Sequence, residues 1–495
     1  MNPILQDAAR QGLPRRTFLR NLLMAAGSVP AAQMLTACGS DSATPGLRNN
    51  PVSPSGRTSP FATMGPLLPP DANGVRMPAG FTSRVVAVVN EPPLASNPDF
   101  RWHSDPDGAG MFRTEDGGWI YVSNSEARDA TTLFGQIPDT PVISDLASRD
   151  SLASLGTVTG PITGLLPVSV PLVLPFQGGA SALRFDKNGT LVDAYPIQRN
   201  TTTNCSGGAT PWGTWINGEE IADGYMFEAS PLKDGGTPIR LDRFGRKAHE
   251  QVAIDMKRRI IYHTEDITGE DRFYRTIFSA ADWPEGGKPD YSKGMLQVLA
   301  VDAGVDAAKR GPTPVRWVNA VDDGTPQFKV YQPDTTVFAG NEGVWFLNDF
   351  VFFTTKGDSN VWAIDTVGGT IESIYNPEDG PVGSPVDNSE PPMIGVDNIC
   401  VTLDGEMVVV EDGGDMRAMV LLPDRSTIPL VRLPGDPSGT EVTGPAFSPD
   451  GRRLYIANQR ALPDGTTTNF GLGGTIYEIT MPFSVRVDPP LARRL

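Results

Sequence analysis

Histidine is the scarcest chemistry-bearing residue of this chain, with 3 in 495 residues. With only His103, His249 and His263 to draw on, an imidazole-based nucleophilic triad and a His-rich zinc site are both poorly supplied. Cysteine is equally rare, at 3, and two of the three lie far apart in sequence, a weak disulfide signal. Basic residues are outnumbered, 41 Lys and Arg against 58 Asp and Glu, for a formal net charge of −17. Nucleic-acid binding wants a basic face, so that sign argues against it. It suits an acidic protein that is simply soluble or loaded with cations. Long helical periodicity is scarce, and no segment after the N-terminal one looks membrane-spanning. No Walker loop or dinucleotide fingerprint occurs, and Gly471-Leu472-Gly473-Gly474 reads as a plain turn.

What the chain has instead is turn chemistry, 53 Gly and 46 Pro, with short runs of β-branched and aromatic residues between the turns. The class expected is all-β. The N-terminus reads as an address. Arg15-Arg16-Thr17-Phe18-Leu19-Arg20 is a twin-arginine pattern, followed by a modest apolar stretch too short for a good transmembrane helix. It ends in Leu35-Thr36-Ala37-Cys38, which resembles a lipoprotein processing box with Cys38 as the lipidated residue. Residues 1–37 are therefore expected to be a signal peptide, 38–75 a flexible tether and 76–490 the folded domain. Without the signal the net charge is near −20. The expected location is periplasmic or cell-surface, with the membrane reached through Cys38, no nucleic-acid partner and a monomeric state. Of the other cysteines, Cys205 is the candidate ligand, and Cys400, within Asn398-Ile399-Cys400-Val401, a buried strand residue.

The segment Asn204-Cys205-Ser206-Gly207-Gly208-Ala209-Thr210-Pro211-Trp212-Gly213-Thr214-Trp215-Ile216-Asn217-Gly218-Glu219-Glu220 puts a thiol shortly before two adjacent carboxylates. Thiolate favours transition metals and carboxylate favours hard cations such as calcium. A related rhythm recurs, in which a turn leads into a short strand that ends on acids or amides. Trp119–Val122 runs to Asn124 and Glu126, Trp212–Trp215 to Glu219 and Glu220, and Ile260–Tyr262 to Glu265 and Asp266. Phe350–Phe353 runs to Thr354-Thr355, Met407–Val410 to Glu411 and Asp412, and Leu454–Ile456 to Asn458 and Gln459. Six such units predict the blades of a β-propeller, each unit an inner strand along the central channel. Their ends would gather Glu126, Glu219, Glu220, Glu265, Asp266, Glu411 and Asp412 at one mouth, where mutual repulsion calls for cations. An insertion at about 129–178, rich in Pro, Val and Leu, breaks the rhythm. It reads as a flap over the mouth or as a hairpin packed outside.

These residues resemble the PhoX alkaline phosphatases. The run Asn204 to Glu220 is similar to that family's NCxGGxTPWGTWxxxEE signature. Gly245–Glu250 resembles its GRxxHE, Tyr262–Asp266 its YxTED, Glu342-Gly343 its EG and Asp397-Asn398 its DN. Glu411-Asp412-Gly413 resembles its EDG, and Glu441, Gly444 and Phe447–Gly451 its closing E-x-x-G…FSPDG. The resemblance implies a six-bladed propeller with ferric iron and calcium in the channel mouth, and hydrolysis of phosphate monoesters. It makes Cys205 an iron ligand. Glu126, Glu219, Glu220, Glu265, Asp266, Glu342, Asp397, Glu411, Asp412 and Glu441 become cation ligands, with Asn124, His249, Glu250 and Asn398 as their supports. Three departures stand out. Gly340 occupies the place of an arginine expected to contact phosphate. Ser125 replaces a histidine in Asn124-Ser125-Glu126, and the 129–178 insertion is long. A calcium-dependent lactonase or phosphodiesterase on the same scaffold, or a non-catalytic metal-binding propeller, are the alternatives.

Overall fold

The computed structural model describes residues 56–127, 178–267, 269, 271–330, 332–379, 391–468 and 473–495. The twin-arginine segment, Cys38 and nearly all of the 129–178 insertion lie outside these residues. No described helix is long and apolar enough to cross a membrane.

Strands dominate. They are β1 (Thr82–Val88), β2 (Pro106–Arg113), β3 (Trp119–Ser125), β4 (Gly178–Phe185), β5 (Leu191–Thr201), β6 (Asn204–Ala209), β7 (Trp215–Glu219), β8 (Met226–Ala229), β9 (Ile239–Leu241), β10 (His249–Asp255), β11 (Ile260–Glu265), β12 (Tyr274–Ile277) and β13 (Met295–Val301). After them come β14 (Thr313–Asn319), β15 (Asn341–Leu347), β16 (Phe350–Thr355), β17 (Asn360–Asp365), β18 (Thr370–Tyr375), β19 (Val396–Val401), β20 (Met407–Glu411), β21 (Arg417–Leu421), β22 (Thr427–Arg432), β23 (Val442–Phe447), β24 (Arg453–Asn458) and β25 (Thr475–Thr480). All 25 belong to antiparallel meanders. β2–β5, β6–β9 and β19–β22 each form a sheet in chain order, and β1 completes β23-β24-β25 by pairing with β25. A nine-stranded sheet divides at β14, which pairs along β13 but meets β18 only at Thr313 and Pro314.

The first strands of the meanders, β2, β6, β10, β15, β19 and β23, touch one another in sequence, and β23 returns to β2. The sheets therefore stand around an axis in a propeller-like arrangement. The apolar core is divided accordingly into clusters between neighbouring sheets. Trp119, Tyr121, Leu183 and Phe185 pack against Tyr455, Ala457 and Ile476 in one of them. Val408, Val410 and Ile428 meet Leu454, Ile456 and Tyr477 in another.

Two expectations need correction. The turn-strand units are the second strand of each meander, not the innermost one: they are β3, β7, β11, β16, β20 and β24. Their sequence pattern reflects this, because a second strand is packed on both faces and reads as a continuous apolar run. The tether, expected to extend to residue 75, is folded over its described part. Phe61, Met64, Leu67 and Val75 are buried, and Phe61 and Val75 join the cluster of Val408 and Leu454.

Candidate metal centre

Antiparallel pairing sets the start of each first strand beside the end of each second strand. Pro106 faces Ser125, Asn204 faces Glu219, His249 faces Glu265, Asn341 faces Thr355 and Val396 faces Glu411. In each of these five pairs the register shifts before the fourth residue of the first strand. In β23 the shift comes one residue later. A bulge re-aims side chains next to it. The second residues of the first strands are Asp107, Cys205, Glu250, Glu342, Asp397 and Thr443. Glycine follows where neighbouring strands crowd. A Cβ on Gly108 would lie 2.5 Å from Cα of Ser206, and one on Gly343 would lie 2.7 Å from the amide nitrogen of Ile399.

The residues immediately after the second strands are Glu126, Glu220, Asp266, Lys356, Asp412 and Gln459. Together the two sets close a circle of contacts. One ligand atom each of Asp107, Glu126 and Cys205 lie within 4.8 Å of one another, as do those of Cys205, Glu220 and Glu250, and of Asp397, Asp412 and Glu441. The thiol of Cys205 donates to Glu250 Oε2 at 3.2 Å. Gln459 Nε2 donates to Asp107 at 2.6 Å and to Glu126 at 2.5 Å. The Arg460 guanidinium lies 3.0 Å from Glu441 and 3.5 Å from Glu126. Lys356 joins Glu342 to Asp266 and Asp412.

Glu219, Glu265 and Glu411, expected among the ligands, are not brought to this mouth. They end their strands, and side-chain alternation sends them away from the residue that follows. Glu219 accepts from the backbone N–H groups of Thr202 and Tyr225, both at 3.2 Å. Glu265 accepts from the Tyr274 hydroxyl at 3.0 Å, and burial pushes its carboxyl up to about 7. Glu411 accepts from Nη2 and Nε of Arg417, at 2.6 and 2.9 Å. Glu126, Glu220, Asp266, Glu342, Asp397, Asp412, Glu441 and Cys205 are brought together, and Glu250, expected as a support, stands with them.

Two supports hold the ring from behind. Asn124 donates to the carbonyl oxygens of Cys205 and Ser206, at 3.2 and 3.0 Å, and fixes the start of β6. Asn398 donates to Asp397 at 2.8 Å and accepts from the Gly444 N–H at 2.8 Å, tying β19 to β23. His249 instead faces away, with Nδ1 2.9 Å from Lys247 Nζ and Nε2 3.1 Å from the Gly245 carbonyl oxygen. His263 stacks on Tyr274 at 5.8 Å. Cys205 and Cys400 are both free thiols, and Cys400 is buried within β19.

Sequence reasoning missed Asp107, Lys356 and Arg460, and named Gln459 as a strand end without counting it at the mouth. Asp107 was legible as the acid at the start of the strand that pairs with β3. Lys356 was legible as the residue following β16, the place held elsewhere by acids.

The electrostatics are those of crowded, buried acids. Buried carboxylates cannot all ionise side by side without positive charge. Burial, then Glu126, pushes Asp107 up to about 7. Burial also pushes Glu342 up to about 8, against the pull of Lys356. Glu220, Glu250, Asp397 and Glu441 are held well above the usual carboxylate range by burial and by neighbouring acids. Burial, reinforced by Asp107 and Glu250, raises the Cys205 thiol. Glu250 Oε1 is buried with no hydrogen-bond donor. These donors fit bound cations, a thiol-bearing end for a transition metal and an all-oxygen remainder for calcium.

Residues 222–345 match the family model of alkaline phosphatase PhoX. The resemblance is to the PhoX family. The matched residues include β10, β11 and the start of β15, hence Glu250, Asp266 and Glu342. Among solved structures, PhoX from Pseudomonas fluorescens, in complex with the transition-state analogue vanadate, aligns over 87% of this chain and 100% of its own at 16% identity, with a TM-score of 0.60. That likeness shows the fold. A gluconolactonase from Xanthomonas campestris aligns over 85% of this chain and 98% of its own at 12% identity, with a TM-score of only 0.38. No curated protein matches the chain.

Proposed function

We propose that this protein is an exported, metal-dependent phosphatase-like hydrolase on a six-bladed propeller, acting on phosphate monoesters. The observation that carries the reading is the convergence of Cys205 with Asp107, Glu126, Glu220 and Glu250 at one mouth. The match to the PhoX model supports it. So does the circle of first strands, which counts six. The residues expected to hold iron are Cys205 and its carboxylate neighbours, and those expected to hold calcium are Asp397, Asp412, Glu441 and the remaining acids. Bound cations would offset the charge of a phosphoryl group. Asn124 and Asn398 keep the donor atoms aimed. Arg460, 33% exposed as a side chain, is a fixed positive group beside them. The vanadate complex of the Pseudomonas protein makes a phosphoryl-shaped ligand the first candidate.

Gly340 favours a second reading. No guanidinium is supplied there, and a lactone or a phosphodiester has less need of one than a monoester dianion. Purified, metal-loaded protein assayed on an aryl phosphate monoester, a diester and a lactone separates the readings. Monoester turnover that chelation abolishes is the expected result. Turnover of the lactone alone sinks the phosphatase reading.

A further inference from the structure

Arg460 is the second residue past β24 and follows Gln459 at the mouth. Its backbone is pinned on both sides. The Arg460 N–H donates to Thr440 Oγ1 at 2.9 Å, and its carbonyl oxygen accepts from the Thr468 N–H at 2.9 Å and from the Thr468 hydroxyl at 3.2 Å. The guanidinium stands between two groups of acids. Nη2 lies 3.5 Å from Glu126, which is grouped with Asp107 and Cys205, and 3.0 Å from Glu441, which is grouped with Asp397 and Asp412. Nε lies 3.8 Å from Asp105. Nη1 makes no hydrogen bond among the described residues, and the side chain is partly exposed. Lys356 is differently placed. An ammonium has three N–H donors, and Glu342, Asp412 and Asp266 all stand within 3.5 Å of this one. A guanidinium has five, and Arg460 turns only Nη2 and Nε to acids.

We propose that Arg460 supplies the guanidinium that grips the phosphoryl group of the substrate, the part that Gly340 leaves unfilled. The proposal rests on the phosphatase reading above and deepens it, because a guanidinium in this role favours a dianionic ester head over an uncharged lactone. A planar fork of N–H groups matches the oxygens of a phosphoryl group and keeps its charge at any working pH. A donor fixed before the substrate arrives costs no reorganisation when charge develops on those oxygens. A phosphoryl group lying across both groups of acids would meet Arg460 between Glu126 and Glu441. Carboxylates committed to a cation pair less strongly with the guanidinium, so a loaded mouth leaves more of its charge for an incoming anion. Gly340→Arg would add a second arm to this grip.

The test uses the full chain, loaded with iron and calcium. Arg460→Lys keeps the charge and loses the fork, and Arg460→Ala removes both. Metal content is measured by elemental analysis, and binding of inorganic phosphate by calorimetry. Both variants are expected to keep the unaltered metal content, since Arg460 competes with cations for Glu126 and Glu441 and does not ligate them. Phosphate is expected to bind about 10-fold more weakly to Arg460→Lys and about 100-fold more weakly to Arg460→Ala, the range for a charged hydrogen bond. The ratio kcat/KM on an aryl phosphate should fall in step, and added ethylguanidinium should restore part of the phosphate binding of Arg460→Ala. Unchanged phosphate affinity in a folded, metal-loaded variant overturns the inference. Loss of metal from Arg460→Lys also overturns it, by making the arginine a counter-ion that only holds the acids in place. If Arg460→Ala fails to fold, Arg460→Lys decides, and if neither folds in millimolar calcium the arginine is a structural pin and the inference falls. The two proposals fail separately. Weaker phosphate binding in the variants, with no ester hydrolysed by the unaltered protein, removes the proposed function and leaves the grip. Ester hydrolysis that the variants retain in full does the reverse. An unaltered, metal-loaded protein that binds no phosphate overturns both.

Discussion

Cys205 on β6 and Glu250 on β10 face each other across two neighbouring sheets, the thiol sulfur 3.2 Å from a carboxylate oxygen. Without a metal the thiol keeps its proton, because burial and nearby acids raise it. A bound transition metal would displace that proton and take the sulfur as thiolate. Cys205→Ser is therefore expected to lose iron while retaining most of the calcium. Elemental analysis checks it, and unchanged iron would make the thiol merely structural.

Metal removal should destabilise the fold, and more so at higher pH. Asp107 and Glu342 hold protons in the metal-free fold up to about 7 and about 8. The unfolded chain releases them near the ordinary carboxylate range of about 4. Between those limits the folded state binds more protons, so metal-free stability falls as pH rises, by about 1.4 kcal/mol per proton per pH unit. With cations bound the acids are ionised, and the stabilisation by calcium grows with pH. Melting curves in chelator and in calcium at pH 5, 6.5 and 8 would show the two sets diverging. Parallel curves with confirmed metal removal would reject the idea.

Gly340→Arg is expected to raise phosphate monoester turnover by one to two decades, the equivalent of about 1.5–3 kcal/mol for a charged hydrogen bond. Space permits the side chain, since a Cβ there would approach nothing closer than Asp266 Oδ1 at 3.5 Å. The backbone resists it. At φ +72° a non-glycine residue costs about 1–2 kcal/mol, so a lower melting point should accompany the gain. Lactone hydrolysis should not improve. A folded, metal-loaded variant inactive on every phosphate ester would move the reading to the lactonase or to a non-catalytic metal-binding propeller.

Arg417→Met should destabilise the protein by about 3–5 kcal/mol, because it leaves the Glu411 carboxylate buried and unpaired. Glu411 and Arg417 are 0% and 1% exposed. Glu411→Gln, by contrast, should keep its full complement of metal, as a residue outside the mouth. Denaturant titration checks the first variant and elemental analysis the second. Metal loss in a folded Glu411→Gln protein would return Glu411 to the site.

The all-β class and the repeating strand were legible because turn residues and apolar runs are local signals. The ring of acids was half legible for the same reason. Glu126, Glu220, Asp266 and Asp412 follow obvious strands. Glu219, Glu265 and Glu411 do so equally well in sequence, yet alternation turns them inward, and only the exact strand end decides between neighbours. Asp107 escaped because it is defined by a partner strand, and Lys356 because it is basic where the other strands are followed by acids. A residue's place at the mouth is set by antiparallel register and by a bulge, and neither leaves a mark in a single run of letters. The burial of Phe61 was hidden in a Ser- and Pro-rich stretch whose composition suggested a linker.

β1 and β25 put Thr82 beside Thr480, so the circle is sewn shut by strands from opposite ends of the described chain. Long-range pairing of this kind forms late. Asp107 lies near the beginning of the circle and Glu441 near its end, and Arg460 spans from Glu441 back to Glu126 where the last sheet meets the first. A chain still lacking its final sheet cannot yet set Glu441 beside Asp397 and Asp412. Loading of the proposed cation site is therefore expected to be completed only in the finished molecule. A substitution that weakens the pairing of β1 with β25 would loosen the circle from a distance, without touching any of its carboxylates.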